Sequence, residues 1–463
     1  MHHVIIGGGP AATNAVETIR QFDGGRSDIT LVCDEPAHSR MALPYWLAGD
    51  IGEGQTHTGD AAYFARLKVA TRFGVRATAV DPQGKTVTLG DGSHLAFDNL
   101  LIATGSSPLR PSIPGADLPG VTPLWSLADT ERVLQCAASL QPAGRPPRAV
   151  LVGAGFIGII VLNAMLKRRW QVTVVERESQ LLPRMLDVPA AGHARRWLAA
   201  RNVAVHCSAT VQRIRPQADG TKAVDLSDGQ SLAADLVILA TGIRPNLDLV
   251  RGSGIATGEA ILVNDRMQTN FPHVYAGGDV AQGPVLSAAG SAVHPIQPTA
   301  VDHGRVAGAN MASHEVRYPG SLAMNIVDIG GLQGASFGRW DDAAAETATI
   351  DHPVGFIYRK LVFRDDRISG AIFVGRADDL GMLTDIGMVK GLMQTATRLG
   401  PWRKYLQDHP HDIRRAYVAT GAAAKLVATT LLGRPAQARQ FHSGSAAPTT
   451  AANAAHAVFV AKG

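Results

Sequence analysis

Two glycine-rich segments carry the first chemical signal in the chain. One reads Gly7-Gly8-Gly9-Pro10-Ala11-Ala12 and follows the aliphatic run Val4-Ile5-Ile6. The other reads Gly153-Ala154-Gly155-Phe156-Ile157-Gly158 and follows Val150-Leu151-Val152. Both have the GxGxx(G/A) spacing in which a strand turns sharply into a helix. The first glycine (Gly7, Gly153) makes the turn, and the second (Gly9, Gly155) lets a pyrophosphate approach the backbone. The third position (Ala12, Gly158) lets helix and strand pack closely. The first helical turn, with Pro10 and Ala11 in one unit and Phe156 and Ile157 in the other, offers free N–H groups and partial positive charge to phosphate oxygens.

A bound dinucleotide also needs an acceptor for its ribose hydroxyls. Glu176 lies 18 residues beyond Gly158, just after the run Gln171-Val172-Thr173-Val174-Val175, and fits that role. In the first unit the run Ile29-Thr30-Leu31-Val32 ends in Cys33-Asp34-Glu35, so the acid is Asp34 or Glu35, or is displaced. A third acid, Asp279, follows Val274-Tyr275-Ala276-Gly277-Gly278. It is placed to hydrogen-bond a polyol, or to act simply as the N-cap of a turn.

These residues need strands and helices to hold them, and the sequence supplies both twice. Each glycine segment sits between two β-branched or aliphatic runs, with a helical pattern in between, which is a βαβ unit. A second echo follows each unit. Leu100-Leu101-Ile102-Ala103-Thr104-Gly105 recurs as Val237-Ile238-Leu239-Ala240-Thr241-Gly242, with Pro108 and Pro245 shortly after. Such a glycine closes a strand beneath a nucleotide or at a crossover.

Composition agrees with several folded domains. A chain of 463 residues allows about two to four. With 46% hydrophobic and 18% charged residues it is not a disordered chain. The net charge of +5 is too small for a dedicated nucleic-acid binder, and it allows an acidic protein partner. Cys33, Cys136 and Cys207 form no CxxC pair, so no Cys-rich metal site, iron–sulfur cluster or vicinal dithiol is expected. His409 and His411 flank Pro410 and read as a loop rather than metal ligands. No apolar stretch reaches the roughly 18 residues of a membrane span. The chain enters a strand and glycine turn within ten residues, so no signal peptide and a cytoplasmic location are expected.

The ordered set of glycine motif, Ala-Thr-Gly, glycine motif, Ala-Thr-Gly and Gly-Gly-Asp resembles the FAD-dependent pyridine-nucleotide oxidoreductases with two dinucleotide domains. Within these it is most similar to the branch of NADH oxidases, coenzyme A-disulfide reductases, ferredoxin and rubredoxin reductases, and the flavin module of NADH-dependent nitrite reductases. The resemblance covers about residues 1–395. It implies an α/β fold with two Rossmann-like domains. An FAD domain (1–112 and 245–320) would hold an inserted NAD(P) domain (113–244). A smaller α+β interface domain (321–395) would follow, then a helical extension and mobile tail (396–463). Interface domains of this kind often dimerise, so a homodimer is a candidate assembly.

The resemblance also implies site residues. Gly7, Gly9, Pro10, Ala11 and Ala12 would cradle the FAD pyrophosphate, with Asp34 or Glu35 near the adenosine ribose. Arg40 matches an FAD-contacting arginine. Val80, Ala103, Thr104, Gly105 and Arg110 would line the flavin nucleotide. Gly278 and Asp279 would meet the ribityl chain, and Pro298, Thr299 and Ala300 would begin the helix beneath the flavin. Gly153, Gly155, Phe156, Ile157, Gly158, Glu176 and Gly242 would hold the nicotinamide dinucleotide. Glu176 favours NAD(H) over NADP(H), because an acid there repels a 2′-phosphate; Arg177 beside it leaves NADPH open. No side chain is assigned a catalytic role, since the flavin carries the chemistry.

Four positions depart from the family. Met41 stands where thiol-using members carry a redox cysteine before Leu-Pro-Tyr, and a thioether cannot cycle as a thiolate does. Tyr45 replaces a frequent lysine, Ile160 a frequent glutamate, and Gln297 a frequent aromatic. The implied activity is transfer of electrons from NADH through FAD to a ferredoxin-like protein or partner oxidoreductase subunit. The alternatives are an NADH oxidase and a non-catalytic FAD-binding subunit. Basic pairs at Lys167-Arg168-Arg169, Arg195-Arg196, Arg403-Lys404 and Arg414-Arg415 would suit an acidic partner if they share a face. In the extension, the stretch from Arg414 to Leu432 reads as one helix ending at Gly433, and the chain from about Ser443 as a mobile tail.

Overall fold

Each glycine segment folds as its spacing requires, and each sits at the centre of its own parallel sheet. The computed structural model describes residues 1–140, 145–286, 290–427 and 431–432. In the first sheet the strands run Val274–Ala276, Asn99–Ile102, His2–Ile6, Asp28–Cys33 and Val69–Phe73 in spatial order. In the second the order is Ala204–His206, Gln171–Val175, Arg148–Val152, Leu236–Leu239 and Val121–Thr122. The glycine-motif strand lies between the strand ending in Ala-Thr-Gly and the strand leading to the acid in both. The internal echo of the sequence is therefore an echo of topology.

Sterics explain the glycines. Gly7 and Gly153 have φ of +113° and +104°. A Cβ at Gly7 would lie 2.2 Å from the carbonyl oxygen of Ala103, and one at Gly153 would lie 2.3 Å from that of Ala240. Neither the backbone angle nor the space admits a side chain. A Cβ at Gly158 would meet the Gly153 carbonyl oxygen at 2.1 Å, whereas Ala12 is accommodated, fully buried, at the matching place in the first unit.

The helix Gln297–Met311 packs along the first glycine-motif helix, Pro10–Asp23. Ala11 and Ala15 face Gly304 and Gly308, and a Cβ at Gly304 would stand 2.1 Å from the Ala11 carbonyl oxygen. One short antiparallel ladder, between the three-residue strands Ser106–Pro108 and Ile243–Pro245, joins the chain as it leaves one sheet and returns from the other.

A third sheet, wholly antiparallel, orders its strands Met324–Asp328, Leu332–Gly338, Arg367–Arg376, Ile357–Arg364 and Glu346–His352. One face shares a core with the second sheet, where Val327, Ile329, Ile372 and Val374 meet Leu151, Trp197 and Leu198. Polar contacts reinforce that junction. The Tyr358 hydroxyl donates to Asp187 at 2.7 Å, Lys360 pairs with Asp187 at 3.1 Å, and the Trp197 indole N–H donates to the Gly330 carbonyl at 2.9 Å.

The other face is covered by the helix Leu380–Gln394 and by the extension. The extension differs from the sequence expectation. It forms three short helices, Pro401–Asp408, Ile413–Ala419 and Ala422–Val427, instead of one long helix from Arg414. Gly421, at φ +68°, breaks the last two apart. Residues 428–430 and the expected tail from Ser443 lie outside the described residues. Leu406, Ile413, Ala416 and Ala422 are fully buried in one cluster with Phe337, Phe373 and Val389, so the described extension is part of this core. Among the described residues no helix is long and apolar enough to cross a membrane.

Leu406→Ala should therefore destabilise the protein by about 2–5 kcal/mol, as for other fully buried leucines. Chemical denaturation checks this; an unchanged midpoint would show that the extension is not integral to the core.

Candidate functional site

The C-terminal edges of the first two sheets open on one cavity of about 650 Å³. Its wall includes Gly7, Gly9, Pro10 and Ala11 from the first glycine turn, and Asp34, Glu35 and Arg40 after the acid strand. Ala103, Thr104 and Gly105 close the next strand, and Gly278, Asp279 and Ala300 complete that side. The second unit contributes Phe156, Ile157 and Ile160 to the same cavity.

Electrostatics make the cavity receptive to anions. Three helices, Pro10–Asp23, Phe156–Lys167 and Gln297–Met311, begin at its wall, and none has a side-chain cap on its N-terminus. Their first N–H groups are free for a ligand. A Cβ at Gly9 would meet nothing within 4 Å, so the turn stands open to the cavity. The Arg40 guanidinium lies over the Trp125 ring, 4.8 Å from its centroid, and among the described residues it has no ion-pair or hydrogen-bond partner. Burial pulls its pKa down, opposed by Asp279 and Glu35. A deep, unpaired cation beside three helix N-termini fits a pyrophosphate. Asp279 accepts from the Ser106 hydroxyl at 2.6 Å through one oxygen, and its carboxylate faces the cavity as a polyol acceptor would. The residues present thus fit the FAD implied by the sequence.

Glu176 sits apart from the cavity, buried at the end of its strand. One oxygen accepts the Ala154 N–H at 2.5 Å and the other the Glu178 N–H at 2.8 Å. Its charge is thereby fixed beside the turn of Gly153 and Gly155. Arg177 points to solvent and pairs with Glu178 at 2.9 Å. Gly153, Gly155, Gly158 and Ala12 shape the turns and do not line the cavity.

Several expected residues are placed elsewhere. Val80 is buried in a separate cluster with Val87, Leu89 and Phe97. The ladder slips by one residue between Ala77 and Ala79, so Ala77 and Thr78 reach the cavity and Val80 turns away. Arg110 is exposed and off the cavity. The neighbouring Leu109 N–H bonds the Gly242 carbonyl at 2.9 Å, which holds both Arg110 and Gly242 at the crossover. Pro298 and Thr299 lie within the first turn of their helix, while Gln297 and Ala300 face the cavity.

Other cavity residues carried no signal of spacing. Asn246 donates to the Thr104 carbonyl at 2.8 Å and accepts from the Ser107 hydroxyl at 2.7 Å, stitching the two crossovers together. Trp125 donates to the Ser106 carbonyl at 2.8 Å and carries Arg40 on its ring. His303 is buried behind the Gly277-Gly278-Asp279 turn, and its Nδ1 accepts the Gly278 N–H at 3.3 Å. That bond fixes the proton on Nε2, and burial lowers the pKa to about 4.

Of the four departures, Met41, Ile160 and Gln297 line the cavity. Tyr45 is half-exposed, with the Lys167 ammonium 5.8 Å from its ring centroid and paired with Asp50 at 2.5 Å. A cation is therefore present near Tyr45 although the tyrosine itself is neutral. Cys33 lines the cavity, but burial pushes its thiol up to about 11. Much of the basic surface is already paired: Arg403 with Glu346, Lys404 with Asp408, Arg414 with Asp385 and Arg415 with Asp412.

The pyridine nucleotide-disulphide oxidoreductase family profile matches residues 1–304. The chain is 30% identical over 419 residues to the NADH-dependent phenylglyoxylate dehydrogenase subunit epsilon of Aromatoleum evansii, covering 89% of this chain and 96% of that one. It is also 30% identical to the NAD(P)H nitrite reductase of Bacillus subtilis across 81% of this chain, and spans about half of that longer protein, 46%. Among solved structures, an NAD-dependent persulfide reductase from A. fulgidus superposes with a TM-score of 0.79 at 28% identity, covering 93% of this chain and 85% of that one.

Two outcomes test the titrating groups of the site. Thiolate forms at Cys33 only as pH approaches about 11, so alkylation followed by mass spectrometry should leave it largely unmodified near neutral pH. Rapid modification at pH 7 would refute the buried placement. His303 stays neutral in the folded chain until pH nears about 4, whereas unfolded it protonates near 6.5. Between those values the unfolded state binds more protons, so stability falls as pH drops. His3, lowered to about 4 by burial, adds to the same slope. His303→Gln should make that decline shallower in denaturation series from pH 7 to 4, and an unaltered slope would count against a neutral buried His303.

Proposed function

The chain belongs to the pyridine nucleotide-disulphide oxidoreductase family, and from that premise we propose that it is an FAD-dependent oxidoreductase that oxidises NADH and delivers electrons to a separate protein. One observation carries this reading: both dinucleotide units open on the same cavity, with Phe156, Ile157 and Ile160 facing Gly7, Gly9 and Asp279 across it. FAD, when bound, supplies the two-electron centre that accepts a hydride and passes electrons on.

The chain's own residues bind and orient. Gly7 and Gly9 keep the first turn bare, and the N–H groups after them, with Arg40, would hold the pyrophosphate. Asp279, steadied by Ser106, would accept from the ribityl hydroxyls. The uncapped start of the helix at Gln297 turns partial positive charge towards the cavity, where negative charge grows on reduction. Phe156 and Ile160 give the facing wall an apolar surface that excludes water from the transfer path.

Glu176 supports NADH as the donor. Both of its oxygens are held by backbone N–H groups, so it stays a fixed acceptor suited to ribose hydroxyls and opposed to a 2′-phosphate. Arg177, engaged with Glu178, does not offset it. For the acceptor, Met41 and a Cys33 thiol raised to about 11 provide no thiolate at neutral pH for disulfide or peroxide reduction. The relative named as subunit epsilon of a dehydrogenase supports a partner oxidoreductase subunit as the acceptor.

Anaerobic titration of the FAD-loaded protein, followed in the flavin band, tests this. NADH should bleach the flavin rapidly, and NADPH should do so far more slowly. A flavin bleached by dithionite but by neither nucleotide would overturn hydride transfer. In air, NADH consumption without added protein should be slow; fast oxygen consumption would make oxygen the acceptor instead. Glu176→Gln should narrow the preference for NADH over NADPH in kcat/KM by about tenfold, by removing a like-charge penalty.

A further inference from the structure

Among the described residues seven buried side-chain atoms have no hydrogen-bond partner, and one of them belongs to a residue on the cavity wall: Nε2 of His38. The residue is only 8% exposed. It sits between Glu35 and Arg40 in the turn after the acid strand, and that turn is tied down. The Ser39 N–H donates to the Thr56 carbonyl and the Thr58 N–H to the Ala37 carbonyl, both at 2.9 Å. The other ring nitrogen, Nδ1, lies 2.9 Å from the Pro36 carbonyl oxygen. A carbonyl can only accept, so Nδ1 carries the proton. Burial pulls the pKa of the ring below its usual 6.5; the Pro36 carbonyl and Asp34 oppose this, and Arg40 and His57 add to it. At pH 7 and above the ring is therefore neutral, and Nε2 is a bare acceptor.

A second acceptor stands beside it. Glu35 Oε2 is 3.6 Å from Nε2, beyond hydrogen-bond reach, and Glu35 lines the same wall. Asp34, the other candidate acid, is exposed and pairs with Arg76 at 3.8 Å. A buried acceptor without a donor is costly, so the partner has to bring donors. A pyrophosphate has acceptors only and suits Arg40 instead. A cis-diol brings two adjacent O–H groups, one for each acceptor. Strand order decides which sugar reaches this place. The acid strand Asp28–Cys33 flanks the glycine-motif strand on one side; Asn99–Ile102 and then Val274–Ala276, which leads to Asp279, lie on the other. A dinucleotide whose pyrophosphate rests at Gly7 and Gly9 thus puts one sugar at Asp279 and the other at Glu35 and His38.

We propose that His38 binds the adenosine ribose of FAD, its Nε2 accepting from one ribose hydroxyl while Glu35 accepts from the other. The role rests on FAD as the ligand of the cavity, as proposed above. It makes His38 a determinant of cofactor choice. An intact 2′,3′-diol satisfies both acceptors, and a sugar lacking either hydroxyl leaves one of them buried and unpaired.

Forms of FAD with 2′-deoxyadenosine or 3′-deoxyadenosine in place of adenosine are the probes. The FAD-loaded full chain is equilibrated with an excess of each and separated from free flavin. Chromatography of the bound flavin then gives relative affinity. Both forms should bind about fivefold to tenfold more weakly than FAD. His38→Phe keeps a flat ring and loses the acceptor. It should weaken FAD binding by about fivefold to tenfold, read as flavin fluorescence recovered on dilution. In that variant one of the two deoxy forms should compete with FAD as an equal. Three results would overturn the assignment: a deoxy form held by the unaltered protein as tightly as FAD, undiminished FAD affinity in His38→Phe, or both deoxy penalties persisting in that variant. The first needs no variant, so it decides even where His38→Phe fails to fold. A chain that takes up no FAD overturns the reading of the cavity as well, whereas FAD uptake indifferent to the diol overturns the role of His38 alone.

Discussion

Backbone meets backbone in this protein at distances no side chain permits, and the site depends on those contacts. Gly7 lies against the Ala103 carbonyl, Gly153 against that of Ala240, and Gly304 against that of Ala11, each with room for hydrogen alone. The first two contacts draw each glycine turn under the strand that ends in Ala-Thr-Gly. The third draws the helix Gln297–Met311 onto the helix Pro10–Asp23. Together they determine where three helices start. A methyl group at any of these glycines would push a helix N-terminus away from the cavity that it faces.

That placement has an electrostatic consequence. Three uncapped helix N-termini and the Arg40 guanidinium point positive potential into one enclosed space. Positive groups brought so close repel one another and carry a desolvation cost. Negative groups on the same wall offset part of it: Asp279, fixed by Ser106, and Glu35, whose pKa burial and Asp34 both raise. The balance leaves the cavity suited to a polyanionic ligand.

The sequence made legible what backbone geometry enforces. Glycine and alanine are the residues that tight turns and close helix contacts allow, so Gly7, Gly9, Gly153, Gly158 and both Ala-Thr-Gly segments announce themselves by type and spacing. Two parallel sheets follow from the same pattern. Side chains that reach the cavity from distant segments announce nothing. Asn246 touches Thr104 across 142 positions, and His303 meets Gly278 from a helix one turn away from the wall. Val80 lies off the cavity wall because a single slipped residue in a short ladder reverses which side chain faces in. Arg110 lies off the wall because the crossover hydrogen bond pins its neighbour Leu109, and such pairing has no sequence period. The extension broke into short helices because Gly421 takes a left-handed angle that its composition alone does not dictate.

The departures around the cavity form a pattern when taken together. Met41 and Ile160 replace groups able to carry charge or a labile proton, and both stand on the wall. Cys33, the cysteine on that wall, has its thiolate suppressed by burial. A wall made this way offers no thiolate relay at neutral pH. On the reading proposed above, electrons would leave through an edge of the site rather than by exchange with a protein thiol. Met41, on the cavity wall in the turn before the short helix Leu43–Ala48, and Tyr45, within that helix, are both exposed large groups. Lys167 and Asp50 place opposite charges beside them. An apolar centre with a charged rim is the surface composition that a protein acceptor of the kind proposed above would need.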